Sequence, residues 1–313
     1  MIQAWVQRAF FLVAALFLAG SAIFLLSAAA KSEDRYLLFP KLQNGDALNY
    51  ESHARLNRYV KTKSNVKTMF EPKPLQADFS MNLRFSVDDY HALDHRPILA
   101  AETQILPASP GENSDSNVSP AAKPRKVIFA IGGNGSLTQA DGLDDLDAGQ
   151  RMAWEFWIAQ FAFAWTLPPS GARPGEKWKS EEVEQTPTPI AKLVWERETT
   201  YVQGEPCPTL PGEQCAVFLV NATLRQKSNP EDATPEDFKL HQLKTSGTAR
   251  GSNQTVVYIS RKTGLLVRAT EDLQQSLDVT IAKVDKTNQV QYLVDVTSHL
   301  ETRYVPPGPS SAP

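Results

Sequence analysis

Residues 144–163 read DDLDAGQRMAWEFWIAQFAF, a stretch unlike anything else in the chain, and the fold is decided by that contrast. Asp144, Asp145 and Asp147 offer caps and place negative charge where a helix N-terminus favours it. From Ala148 to Phe163 there is no proline, and the one glycine, Gly149, sits near the start. Helical spacing puts Met152, Phe156, Ala159 and Phe163 along one face and Trp154, Trp157, Ile158 and Phe161 along another. Apolar residues on both sides predict a buried helix, not one lying amphipathically on a surface. Pro168-Pro169 ends it.

Working outward, the sequence reads as strands. Phe79–Val87 alternates apolar and polar residues over nine positions, the period of a half-buried strand. Asp46–Ser52 and Arg55–Val60 are shorter strands before it, and Pro97–Leu106 and Lys126–Ile131 follow. After the helix come Lys177–Val183, Ala191–Val202, Ala216–Gln226, Asp237–Thr248, Gln254–Ser260, Leu265–Glu271, Leu277–Val284 and Val290–Tyr304. Gly133-Asn134-Gly135, Arg261–Gly264 and Asp285–Asn288 are hairpin turns. Short turns between successive strands imply an antiparallel meander. The expected fold is therefore mainly β, a curved antiparallel sheet (or sheets) or half-barrel packed around one buried α-helix.

The chain divides accordingly. Residues 1–30 are an export segment, 31–143 an N-terminal β region with a flexible loop at 107–123, 144–167 the helix, 168–305 a C-terminal β meander, and 306–313 a disordered tail. An internal echo links the two β regions. Pro40-Lys-Leu-Gln-Asn-Gly45-Asp46 precedes one, and Pro169-Ser-Gly-Ala-Arg-Pro-Gly175-Glu176 the other. Each has a proline, then a glycine followed by an acid, before a strand. Two β halves separated by a helix, or coincidence, would account for it.

Composition sets the class. The first thirty residues contain one charge, Arg8, and from Ala9 to Ala30 the chain is uncharged. A basic start, an apolar run and the small-residue ending Ala28-Ala29-Ala30 match a secretory signal peptide cleaved after Ala30; an uncleaved anchor is the alternative, since 22 uncharged residues also suffice to span a bilayer. Either way the rest of the chain is exported, periplasmic, extracellular or held at the membrane, with membrane contact only through residues 1–30. Without that segment 31 basic side chains face 35 acidic ones, a balance that argues against nucleic acid as a partner. The two cysteines, Cys207 and Cys215, lie in a turn-rich run, PCPTLPGEQC. Seven intervening residues with no histidine nearby suit neither zinc nor a CxxC redox pair, so a structural disulfide is expected.

At Pro168–Trp178, and again over Gly247–Arg268, with Gly247-x-Ala249-x-Gly251 before a strand and the hairpin Thr263-Gly264-Leu265-Leu266, the sequence resembles a loose group of uncharacterised exported β-rich bacterial proteins. The resemblance covers the C-terminal part alone and implies export and a curved antiparallel sheet, with no activity to carry over. The layout is also similar to that of lipoprotein carriers of the bacterial envelope, in which a curved sheet wraps a helix and holds an acyl chain. That second likeness is one of architecture.

Candidate chemistry is sparse. His91-Ala-Leu-Asp94-His95, with Asp88 and Asp89 upstream, is the one metal-like cluster, but Pro97 follows closely and no helical pattern surrounds it, so it reads as a solvated connection. Ile131-Gly-Gly-Asn-Gly135-Ser follows a strand but lacks the Gly-Lys-Ser/Thr of a phosphate loop. No Gly-x-Ser-x-Gly elbow is present. No metal or cofactor is expected. Five of the six tryptophans lie between residues 154 and 195. Large aromatics at helical spacing fill a core; alternatively Trp154, Trp157, Phe161, Trp165 and Trp178 line an apolar pocket that takes a lipid or similar small hydrophobe. The expected function is a non-catalytic envelope or periplasmic role, with apolar-ligand binding as its specific form. The alternatives are a hydrolase whose acid/base pair, with Asp94 or His95 as a member, is assembled only by the fold, and a membrane-anchored scaffold that binds a protein partner through strand edges.

Overall fold

The computed structural model of the 313-residue chain describes residues 35–65, 74–93, 96–106, 125–184, 188–285 and 288–307. The export segment, the loop 107–123, the tail beyond residue 307, Asp94 and His95 lie outside these. In chain order the strands are β1 (Ala47–Ser64), β2 (Leu75–Leu93), β3 (Arg96–Leu106), β4 (Arg125–Ile131) and β5 (Leu137–Asp141). Helix α1 (Ala148–Phe161) follows and tightens into a 3-10 turn over Ala162–Thr166. Then come β6 (Lys177–Val183), β7 (Leu193–Pro206), β8 (Gln214–Gln226), the short helix α2 (Glu236–Leu240), β9 (Leu243–Ser260), β10 (Leu266–Lys283) and β11 (Gln289–Val305).

All eleven strands form one antiparallel sheet in the order β5-β4-β3-β2-β1-β11-β10-β9-β8-β7-β6. The first five step outward to one edge; the last six start at the other edge and step back inward until β11 meets β1. The edges, β5 and β6, do not pair, so the sheet stays open. Accumulated strand twist curls an open sheet of this size, and α1 lies on its inner face.

Topology explains why α1 exists. The chain leaves β5 at one edge and must begin β6 at the other, so its connection has to cross the sheet. The crossing is traced by side chains. The Trp154 indole donates to Thr103 Oγ1 on β3 (2.7 Å). The Trp157 ring sits 6.0 Å from Phe129 on β4, 6.3 Å from Phe85 on β2 and 5.9 Å from Tyr50 on β1. Phe163, in the 3-10 turn, reaches Phe218 on β8 at 5.5 Å. A capping box starts the helix: Gln150 N donates to Asp147 Oδ1 (2.8 Å), and Asp147 N donates to Gln150 Oε1 (3.3 Å). The expectation of burial on both helix faces holds for one. The Trp154–Trp157–Phe161 face is sealed against the sheet, but Met152 and Phe156 are half-buried and Ala159 is exposed. A helix laid on one face of an open sheet has a single surface to bury.

Several expected strands fuse. Asp46–Ser52 and Arg55–Val60 belong to one strand, β1; Leu265–Glu271 and Leu277–Val284 join as β10. Residues 249–253, expected as a break, continue β9, while Glu236–Leu240 turns as a helix where a strand start was expected. The glycines that obscured β9 serve close packing. A Cβ on Gly251 would lie 3.0 Å from the Trp195 ring, and one on Gly247 only 2.0 Å from the Asp278 carbonyl oxygen.

The echo between the two β regions is matched bond by bond. Gly45 and Gly175 both take positive φ (89° and 82°). Asp46 accepts from Gln43 N (2.8 Å) as Glu176 accepts from Arg173 N (3.1 Å). Gly45 N donates to Val87 O as Gly175 N donates to Tyr201 O, at 2.9 and 2.7 Å. Val87 and Tyr201 each begin a bulge in the second strand of its half.

Truncating Trp157 to Ala should leave a cavity beneath α1 and cost about 3–5 kcal/mol, measured by urea denaturation; Asp147→Ala, which removes the cap alone, should cost about 1 kcal/mol.

Candidate functional site

Residues paired across antiparallel strands share a face, so the register sorts the inner face into rows. One row runs Leu83, Tyr50, Tyr304 and the rows beyond it step away from the helix: Met81–Ser52–Thr302, Phe79–Ala54–Leu300–Glu271, Ala77–Leu56–Ser298–Leu273, Leu75–Arg58–Val296–Gln275 and then Val60–Val294–Leu277. The inner face thus has a closed end, a polar band and an open end.

The closed end is solid core. Trp154 and Trp157 are 0% exposed, Phe161 1% and Trp165 2%. Their rings contact one another and the sheet, with Trp157 and Phe161 stacked at 5.2 Å. Trp178, on edge strand β6, is half-buried against Phe218 at 6.0 Å. Of the five aromatic residues expected as ligand lining, four therefore sit between helix and sheet, and a ligand reaches them only if α1 lifts. The N-terminal segment straps this end. Leu38 and Leu42 are buried, Tyr36 exchanges two backbone hydrogen bonds with Ala172, and Tyr90 donates its hydroxyl to Pro40 O. Burial pushes the Tyr90 phenol up to about 12. The strap passes so close to the β9–β10 hairpin that a Cβ on Gly264 (φ 69°) would lie 2.0 Å from the Phe39 carbonyl oxygen.

The polar band crosses β7–β10 under the end of α1. Asn253 Nδ2 donates to Glu271 Oε1 (2.6 Å), and Gln160 Nε2 on the helix donates to Oε2 (3.5 Å). Burial pushes the Glu271 carboxyl up from its ordinary range, although those two hydrogen bonds favour its charged form. Arg197 pairs with Glu182 at 2.8 Å.

At the open end the β7–β9 side is filled by a second apolar cluster in which Ile190 and Ala233 cover Trp195, Leu224 and Ala249. That cluster reaches Val279 on β10, and beyond it Leu56, Val60, Val294 and Val296 have no such cover among the described residues. These four lie there half-buried, an apolar floor around Arg58, and Leu273 and Leu277 on its β10 side also pack against the second cluster. Sequence reasoning missed this floor because its strands carry equally many polar residues on their outer face. Alternate positions of Val290–Leu300 carried the only signal.

Other sites expected from sequence are placed as follows. Cys207 and Cys215 are bonded (S–S 2.05 Å) and pack with Val267. His91 and Asp89 form an exposed pair at 3.3 Å, and no cluster of three metal-ligating side chains occurs among the described residues. The 132–136 segment is the β4–β5 hairpin turn, closed by Gly132 N donating to Ser136 O (2.9 Å). On the outer face a polar cleft of about 360 Å³ lies between Tyr59, Lys61, Arg250, Asp278 and Asp295. No helix among the described residues is long and apolar enough to cross a membrane.

No protein-family model matches the chain, and no curated protein matches it in sequence. Among solved structures it is similar to a "putative lipoprotein from Parabacteroides distasonis ATCC 8503", covering 84% of this chain and 98% of that one at 9% identity and a TM-score of 0.27. A likeness that distant carries no functional argument.

Two outcomes follow from this geometry. Because the native state holds the Glu271 proton more tightly than the unfolded chain, this carboxyl stabilises the fold below the ordinary carboxylate range, and that contribution is lost as pH rises toward the native value. Glu271→Gln should therefore raise Tm at pH 8, with the difference from wild type closing near pH 4, by thermal melts across pH. Cys207→Ser with Cys215→Ser should cost about 2.5 kcal/mol by the loop-entropy relation for so short a loop, measured by denaturation against the oxidised parent.

Proposed function

We propose that this chain is an exported, envelope-associated, non-catalytic protein that holds an apolar ligand of the lipid class on the open end of its inner face. The observation that carries the reading is the apolar floor of β1, β11 and β10, which continues past the last row that α1 covers. Ala54 and Leu300 are 2% and 1% exposed, whereas Leu56, Val296, Val294 and Leu277 further along the same strands are half-buried. A monomeric soluble protein seldom leaves a contiguous apolar surface uncovered without a partner for it. Such a ligand needs shape and apolar area, not a nucleophile or a metal. Export rests on the apolar run Ala9–Ala30, and the Cys207–Cys215 bond suits an oxidising compartment.

The half-covered helix supports the same reading. With Met152 and Phe156 already half-exposed on its far side, α1 has one packed face, and a lifted helix would extend the floor into the closed end. Solvent extraction of protein purified from its native envelope, followed by mass spectrometry, should recover a stoichiometric lipid. In the same preparation stripped of lipid, the uncharged probe N-phenyl-1-naphthylamine should gain fluorescence on binding. A chain that carries no lipid and leaves the probe dark is not a lipid binder.

A further inference from the structure

We infer that the ligand of the inner floor is an anionic amphiphile, its apolar chain on β11 and β10 and its headgroup at Arg58. The inference rests on the proposed apolar-ligand reading and adds the charge. On the inner face three charged side chains at the polar band are already engaged and a fourth, on β1, is not; Arg125 on β4, opposite Ile105, shares the face three strands away and also meets no acid among the described residues. Arg197 is paired with Glu182 at 2.8 Å, and Glu271 accepts hydrogen bonds from Asn253 and Gln160. Arg58 is the fourth. It sits on β1 opposite Leu75 on one side and Val296 on the other, with Leu56 and Val60 its neighbours on the same face of the strand. Among the described residues no carboxylate or carbonyl meets its guanidinium, and it is exposed to whatever enters the floor.

An arginine set among apolar side chains without an acid is poorly served by an uncharged alkane or alcohol, which takes away water and returns no acceptor. A carboxylate or phosphate satisfies it by a bidentate, charge-assisted pair, the geometry for which a guanidinium is preorganised. Four arginines of the outer face meet acids there. Arg55 pairs with Asp78, Arg268 with Glu301, Arg225 with Glu196 and Arg303 with Glu51. Arg58, like Arg84 and Arg250 on the outer face, meets no acid among the described residues, but of these three it alone sits beside Leu56, Val60, Leu75 and Val296. From Val296, opposite Arg58, to Val290 the β11 strip is about 20 Å long at the usual rise per residue, room for an acyl chain laid beside it.

The test is displacement of N-phenyl-1-naphthylamine from wild type, Arg58→Met and Arg58→Lys, with melting curves confirming that all three fold. The competitors are oleate, oleoyl lysophosphatidate and oleyl alcohol, which share a chain and differ in the head. For wild type an anionic competitor should displace the probe at least about tenfold better than the alcohol, in line with a charge-assisted pair. Arg58→Met should bind the probe as wild type does and lose that preference; Arg58→Lys should keep part of it. Oleate ahead of lysophosphatidate identifies a free fatty acid, and the reverse order a phospholipid head. If the probe binds but acid and alcohol compete equally, or if the preference survives in Arg58→Met, the charge inference falls and the apolar reading stands. If the probe does not bind wild type at all, both fall.

Discussion

The pairing of the first strand with the last holds this molecule together. β1 and β11 run antiparallel from Asn49–Val305 to Ser64–Val290, joining the two halves of the chain in the middle of the sheet. Without that ladder each half would be a meander with an unpaired inner strand and half an apolar face. With it the edges of the sheet become β5 and β6, and the connection between them must traverse the inner face. The helix, its aromatic underside and the division of the face into a covered and an uncovered end all follow. Such a contact spans nearly the full described chain, so closing it costs more chain entropy than forming the local hairpins.

The edges that remain are managed by charge. β6 carries Lys177, Lys179, Glu181 and Glu182 in seven residues, and β5 is only five residues long. Both features discourage another chain from adding to the sheet.

The function proposed here depends on a mismatch between lengths. Helix α1 is 14 residues, about 21 Å at the usual rise, and it lies across the strands. The strands beneath it, β1, β10 and β11, are 17 or 18 residues each. One crossing helix covers a band of those strands and leaves the rest. The second cluster and the Ile190–Ala233 cover fill one side of the remainder, and the apolar floor with Arg58 occupies the other. Met152 and Phe156 on the outer side of the helix extend the same chemistry. The part-buried Glu271–Gln160 contact joins helix to sheet where the covered band ends, so whatever lifts the helix must break it.

What the sequence by itself determined is mostly local. Proline and capping aspartates bounded the helix, alternation at Phe79–Val87 marked a strand, Gly133-Asn134-Gly135 marked a hairpin, and two cysteines in a turn-rich run marked a disulfide. Even the paired Gly45-Asp46 and Gly175-Glu176 turns were visible, because a positive φ next to an acid that caps its own turn leaves a short, fixed signature. Strand length was not, because β1, β9 and β10 alternate between two polar-tolerant faces, and only the neighbouring strand says which positions are inside. Nor was the role of the tryptophans. Helical spacing put Trp154, Trp157 and Phe161 on one face without saying whether that face met a ligand or a sheet. Arg58 was one basic residue among 32. Its separation from every acid on its face became apparent only when β1 was laid between β2 and β11, because register, a property of pairs of strands, decides which side chains share a surface.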